Sequence, residues 1–252
     1  DYQQKYKNYC HDQQIVFKPI STYQHISSFA HAIIDKFSVW KNKITSENID
    51  HASLSKIQKL ANQNEGAIFL SSHYGNIEVS RAIGQRFGVK YNALIYTKNS
   101  KKISNLMKNI DTEYHKSVLP VQDFNPAMAS VIHSKLENKE WIFCMADRLT
   151  ESGHKSIESK LLGHKVSLPL GPFLLAYLND VKIYNFHCYK KDKKFYFDIK
   201  EIESKIEKSR INRDLVLRDY AHVFMERLED LIMKDPLQWF NFYQYWKEND
   251  KK

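Results

Sequence analysis

From Ala67 to Ala146 short apolar runs alternate with helix-forming stretches, and this rhythm most narrows the folds open to the chain. Ala67-Ile68-Phe69-Leu70 has the length and character of a strand buried on both faces. Tyr91 to Tyr96, Val118 to Val121 and Trp141 to Ala146 repeat the pattern. Between them, Ile77 to Ile83 reads as a helix ended by Gly84, and Ser100 to Ile110 as a helix with serine at its N-cap. Asn125-Pro126 opens a third helix, reaching Asn138, with proline in the first helical position. Strands that alternate with helices pair in parallel, with the helices covering the sheet faces. The pattern predicts a single α/β domain with a mixed, mainly parallel sheet flanked by helices.

The flanks keep a different rhythm. Residues 1–25 are polar and tyrosine-rich with little period, although residues 1–50 as a whole read as an N-terminal helical segment. Ile26, Phe29, Ile33, Phe37 and Trp40 recur at spacings of three and four, one stripe of a helix. Two readings fit that stripe: packing into the core, or lying on a membrane surface. Ser53 to Leu60 is a further short amphipathic helix. Beyond Ala146, Ile157 to Leu162 and Lys165 to Leu168 look extended around Gly163, and Pro172 to Leu178 helical. Val181 to Tyr189 and Phe195 to Ile199 form a hairpin crowned by Lys190, Lys191, Lys193 and Lys194, which read as solvated. Asn212 to Lys234 is a long helix stopped by Asp235-Pro236. The aromatics that follow, Trp239, Phe240, Phe242, Tyr243, Tyr245 and Trp246, keep no simple period. They read either as a core plug or as the wall of an apolar tunnel or membrane belt.

Composition limits the partners. Lys and Arg number 38 against 29 Asp and Glu, a formal net charge of +9, which favours an anionic partner: nucleic acid, a phospholipid surface or an acidic protein. Cys10, Cys144 and Cys188 are too scattered for a zinc site or a disulfide framework. No apolar run approaches the roughly 18 residues of a membrane span. The chain opens at Asp1 rather than Met, so a segment cut away upstream is expected, a membrane anchor being one form it could take.

No GxSxG elbow, P-loop or GxGxxG occurs. His73 and Glu78, five apart, are candidates for a general base and the carboxylate that fixes its tautomer. Spacing alone is weak. With 11 His and 29 acids in 252 residues about one such pair arises by chance, and the chain has two. In the second, His187 lies inside a strand and Asp192 in a hairpin turn, which reads as structural. His73 instead sits where a buried strand gives way to a helix, the place where α/β sheets hold ligands. Helix-start amides around Tyr74, Gly75 and Asn76 could hold an oxyanion there.

Ser72-His73-Tyr74-Gly75-Asn76-Ile77-Glu78 resembles the signature block of the bacterial lipid A late acyltransferases, within the lysophospholipid acyltransferase superfamily. Ala146-Asp147-Arg148 resembles the family's Asp-containing third block. Leu161-Leu162-Gly163 and Pro169-Leu170-Gly171-Pro172-Phe173 resemble its Gly and Pro-x-Gly-Pro segments, and Pro236 to Tyr243 its terminal Pro and Trp-Phe block. Trp239-Phe240-Asn241-Phe242-Tyr243 is similar to a branch of predicted acyltransferases associated with aryl polyene lipids. The family usually carries an arginine in its second block; here Lys98 stands there, with Lys101 and Lys102 following, and lysine cannot copy a bidentate arginine grip.

The resemblance implies a glycerolipid acyltransferase-like fold and a transfer in which His73 takes the proton of an acceptor hydroxyl and Glu78 orients His73. Tyr74, Gly75, Asn76, Lys98, Asp147 and Arg148 are the implied oxyanion or substrate contacts. Asp147 reads first as structural, and Arg148 equally as a phosphate ligand or as a partner of Asp147. No metal or cofactor is called for, since a thioester on an acidic acyl carrier protein or CoA is already activated. The acceptor would be an anionic membrane lipid or lipid A at the cytoplasmic face of the bacterial inner membrane, and nucleic acid drops out as a partner. A glycyl transfer from a carrier protein to lipid A is the alternative within the superfamily. A non-catalytic basic membrane-binding module is the alternative of another class.

Overall fold

The structure, a computed structural model, describes residues 1–96, 117–121, 125–149 and 155–246. The four apolar runs are strands β1 (Ala67–Ser71), β2 (Tyr91–Tyr96), β3 (Val118–Val121) and β4 (Trp141–Met145). β5 (Ser156–Leu161) and β6 (His164–Pro169) form a separate antiparallel hairpin that turns through Leu162 and Gly163, both at positive φ. β7 (Lys182–Lys191) and β8 (Lys194–Glu201) form a second hairpin, closed by Asp192 and Lys193 at φ 49° and 66°. The main sheet runs β3-β2-β4-β1-β7-β8. Every pairing in it is parallel except β7 with β8. The chain is thus a single α/β domain with a mixed, mainly parallel sheet.

Among the described residues seven α-helices surround the strands: α1 (Tyr2–Asp12), α2 (Thr22–Trp40), α3 (His51–Gln63), α4 (Ile77–Arg86), α5 (Pro126–Glu137), α6 (Leu170–Leu178) and α7 (Arg213–Lys234). Successive strand residues point to opposite faces, so each buried strand feeds two cores. On one face Ile68, Leu70 and Ile142 join Phe173 of α6 and Phe224 and Leu228 of α7. On the other Phe69, Phe143 and Phe186 join Ile57 of α3 and Val79 and Ile83 of α4. Phe69 stacks on Phe143 with ring centroids 4.5 Å apart, which gives part of the chain's aromatic content a packing role.

Two local outcomes differ from the sequence pattern, and a third concerns the stripe of α2, for which the pattern left two readings open. Residues 2–12 are helical, with Tyr2, Tyr6 and Cys10 buried at a spacing of four, a stripe hidden by the polar residues around it. Gly84 lies within α4 rather than ending it, and the turn comes at Gly88, at φ 76°. Most of the stripe of α2 stays out of the core, and of its members only Trp40 packs against it. Ile26, Phe29, Ile33 and Phe37 are exposed, and His25 and Val39 are the helix's buried residues. The helix expected over Ser100 to Ile110 lies outside the described residues. Among those residues no helix is long and apolar enough to cross a membrane.

Candidate active site

The site is built by the carboxyl ends of β1 and β4. These strands are parallel neighbours in a register that places Ser71 beside Met145. Two residues further on, the same register sets His73 beside Asp147. The amide of Ala146 donates to the carbonyl of Ser71 at 2.8 Å, so the two chains stay together past the strand ends. Asp147 then holds His73 twice. Its Oδ2 accepts from the His73 backbone N–H at 3.0 Å, and its Oδ1 from Nδ1 of the ring at 2.9 Å. The Asp147 side chain is 2% exposed and that of His73 34%.

Burial on its own would raise the pKa of Asp147. The charge and both hydrogen bonds of His73, with Arg148 beside them, outweigh burial and hold the carboxyl below its ordinary value. An ionised carboxylate on Nδ1 fixes the ring proton there and leaves Nε2 as the proton acceptor. The C-terminal block locks the arrangement. Tyr245 donates to the Asp147 carbonyl at 2.7 Å, the Trp239 indole approaches Oδ2 at 3.4 Å, and the Phe240 amide donates to the His73 carbonyl at 2.9 Å.

The remaining sequence candidates fall into distinct places. Glu78, in the first turn of α4, accepts from Arg81 Nε at 3.2 Å, and its backbone N–H is capped by Asn76. The carboxylate bonded to His73 is Asp147, since register across the sheet brings residue 147 to the histidine while the helix turns Glu78 toward Arg81. Gly75 and Asn76 were expected to offer amides to an oxyanion. Those amides already donate to the carbonyls of Gln238 and Cys188, at 2.9 and 2.6 Å. Gly75 has φ 71°, and a Cβ there would lie 1.9 Å from the Cys188 carbonyl oxygen, so close approach to β7 requires glycine. The Asn76 side chain reaches the Ala32 carbonyl of α2 at 3.2 Å. Tyr74 is buried, and its hydroxyl donates to the Leu231 carbonyl at 3.0 Å. These three residues hold the loop that carries His73.

Arg148 is half-buried beside Asp147. Its guanidinium donates to the Phe240 carbonyl at 3.1 Å and lies 4.4 Å from the centre of the Tyr243 ring. Its buried Nε has no partner among the described residues. Lys98, with Lys101 and Lys102, lies outside the described residues. His187 is buried within β7 between Tyr74 and Phe224, and Asp192 sits in the hairpin turn. Of the crown lysines, Lys190 departs from the solvated reading and pairs with Asp35 of α2 at 2.8 Å. Of the two residues that fasten Asp147, Trp239 was legible as part of the block that resembles the family's terminal Trp-Phe segment, and Tyr245 only as a member of an aromatic cluster without period.

Among the described residues no three of His, Cys, Asp and Glu gather closely enough to hold a metal ion. The arrangement can remove a proton at His73 Nε2 and stabilise the resulting imidazolium through Asp147, and Arg148 is a cation within the same loop cluster. Residues 22–248 match the family model described as bacterial lipid A biosynthesis acyltransferase, so the chain belongs to that family. Its enzymatic class is therefore of the acyltransferase type. No curated protein matches the chain.

Proposed function

We propose that this protein moves an acyl group from a carrier-protein or CoA thioester to a hydroxyl of a membrane lipid such as lipid A, with His73 as general base. The observation that carries the reading is the doubly bonded pair of His73 and buried Asp147 at neighbouring strand ends. Nε2 takes the acceptor's hydroxyl proton as its oxygen attacks the thioester carbonyl. Asp147 holds the ring in the productive tautomer and steadies the imidazolium. The tetrahedral intermediate expels the thiolate, which receives the proton from His73, leaving an ester and a free thiol. Glu78 supports the site at one remove, by holding Arg81 within α4. Arg148 supplies positive charge for a phosphate on the acceptor or for the developing oxyanion.

The test follows free thiol release from an acyl carrier protein thioester in the presence of a lipid A precursor, with mass spectrometry of the lipid. His73→Ala is expected to abolish transfer while its thermal melt stays close to that of the wild type. Thiol release by a folded His73→Ala at the wild-type rate would overturn the mechanism.

A further inference from the structure

The helix α2 is amphipathic the wrong way round for a soluble domain. The side that meets the body of the protein buries Val39 near its end and is otherwise tied by polar contacts. His25 Nε2 donates to the Trp239 carbonyl at 2.8 Å, Asn76 reaches the Ala32 carbonyl, and Lys190 pairs with Asp35. The side facing away carries Tyr23, Ile26, Phe29, Ile33, Ile34 and Phe37, all exposed, with Ile26 at 53% and Ile34 at 60%. A helix of a water-soluble domain normally turns its apolar stripe inward, and an exposed apolar patch of this kind marks an interaction surface.

The patch runs on toward the candidate active site. Phe29 touches Phe240 and Phe242, with ring centroids 5.3 and 5.2 Å apart. Phe242 is half exposed, and its neighbour Tyr243 covers the guanidinium of Arg148. Exposed lysines bracket the stripe, Lys18 before the helix and Lys41 and Lys43 after it. From residue 18 to residue 43 the only acid is Asp35, which Lys190 neutralises.

We infer that α2 is a membrane-docking helix that lies flat on an anionic phospholipid surface, its apolar stripe among the acyl chains and its flanking lysines at the headgroups. At about 1.5 Å per residue the helix is long enough to lie along the interface. Charge favours this occupant over a second copy of the chain. Both ends of the helix are cationic, so pairing two copies in either direction sets lysine against lysine, whereas anionic headgroups neutralise both ends. The inference rests on the acyltransferase reading only in that a lipid acceptor would then lie where the site opens.

The test is vesicle cosedimentation with neither donor nor acceptor present, so that a failure of acyl transfer leaves it untouched. Wild-type protein is expected to bind phosphatidylcholine vesicles containing phosphatidylglycerol at low salt, and more weakly as salt screens the lysines. The double variant Ile26→Ser/Ile34→Ser, at two exposed positions, is expected to bind about tenfold more weakly. Lys41→Gln/Lys43→Gln is expected to lose most of the salt-sensitive part while keeping its thermal melt. Absence of wild-type binding, equal binding by Ile26→Ser/Ile34→Ser, or a sedimentation-velocity dimer that this variant dissolves would each overturn the inference.

Discussion

Asp147→Asn tests the site at its most specific point. Asp147 accepts two hydrogen bonds from the same residue, one from the His73 backbone and one from its ring, at 3.0 and 2.9 Å. An asparagine has only one oxygen. Turned to the ring, it leaves its amide facing a backbone N–H, two donors buried together at a cost of about 1–3 kcal/mol. Turned to the backbone, it presents N–H to Nδ1 and forces the ring proton onto Nε2, which disables the base. Either way the charged acceptor that steadies the imidazolium is lost, a bond of about 1.5–3 kcal/mol. Lost charge and wrong tautomer together amount to about 4 kcal/mol of transition-state stabilisation, or about a thousandfold in kcat. Glu78→Gln, whose carboxylate meets Arg81, is expected to cost far less. The assay is thiol release at saturating donor, repeated in a His73→Ala background. If Asp147 works through His73, adding Asp147→Asn to that background costs little more. An undiminished thousandfold loss there, or a Glu78→Gln loss as large as that of Asp147→Asn, would refute the reasoning.

Two further predictions concern the scaffold. Gly75→Ala combines φ 71° with a Cβ 1.9 Å from a backbone oxygen of β7, so stability in urea is expected to fall by about 3 kcal/mol or more, with the His73 loop displaced and activity lost. His187 is fully buried, and burial lowers its pKa from the ordinary 6.5 to about 4. Between those values the unfolded chain binds a proton that the folded chain refuses, so this residue's contribution is intact above 6.5 and lost as pH falls toward 4, by about 3 kcal/mol in all. Urea titrations across that window are expected to show a shallower acid loss for His187→Gln than for the wild type, and identical slopes would contradict the assignment.

The parts of the fold that depend on local pattern were legible in the sequence. The four apolar runs became β1 to β4, Asn125-Pro126 capped α5, and the second hairpin closed in its lysine turn. What was illegible depends on which strands become neighbours. Spacing along a chain finds partners a few residues away, so it offered Glu78 for His73. Asp147 lies 74 residues on, and it reaches His73 only because β4 rather than β2 pairs with β1. The same limit hid the carbonyls of Cys188 and Gln238, which take the Gly75 and Asn76 amides from any oxyanion. Periodicity located the stripe of α2 but could not say which side would meet the protein.

The Asp147 pairing and the outward stripe of α2 meet at one residue. Trp239 is fully buried, and its carbonyl takes the hydrogen bond of His25 from α2 while its indole points at the carboxylate of Asp147. Its neighbour Phe240 bonds the carbonyl of His73 and touches Phe29 of α2. The aromatic block after Pro236 is therefore neither plug nor wall alone. Its buried members fix the His73–Asp147 pair and its exposed members extend the apolar face. Because the two roles share a backbone, a helix docked on a bilayer would hold His73 at a set depth relative to the lipid surface. In the proposed transfer from a thioester to a lipid hydroxyl, that depth would decide whether the hydroxyl reaches Nε2.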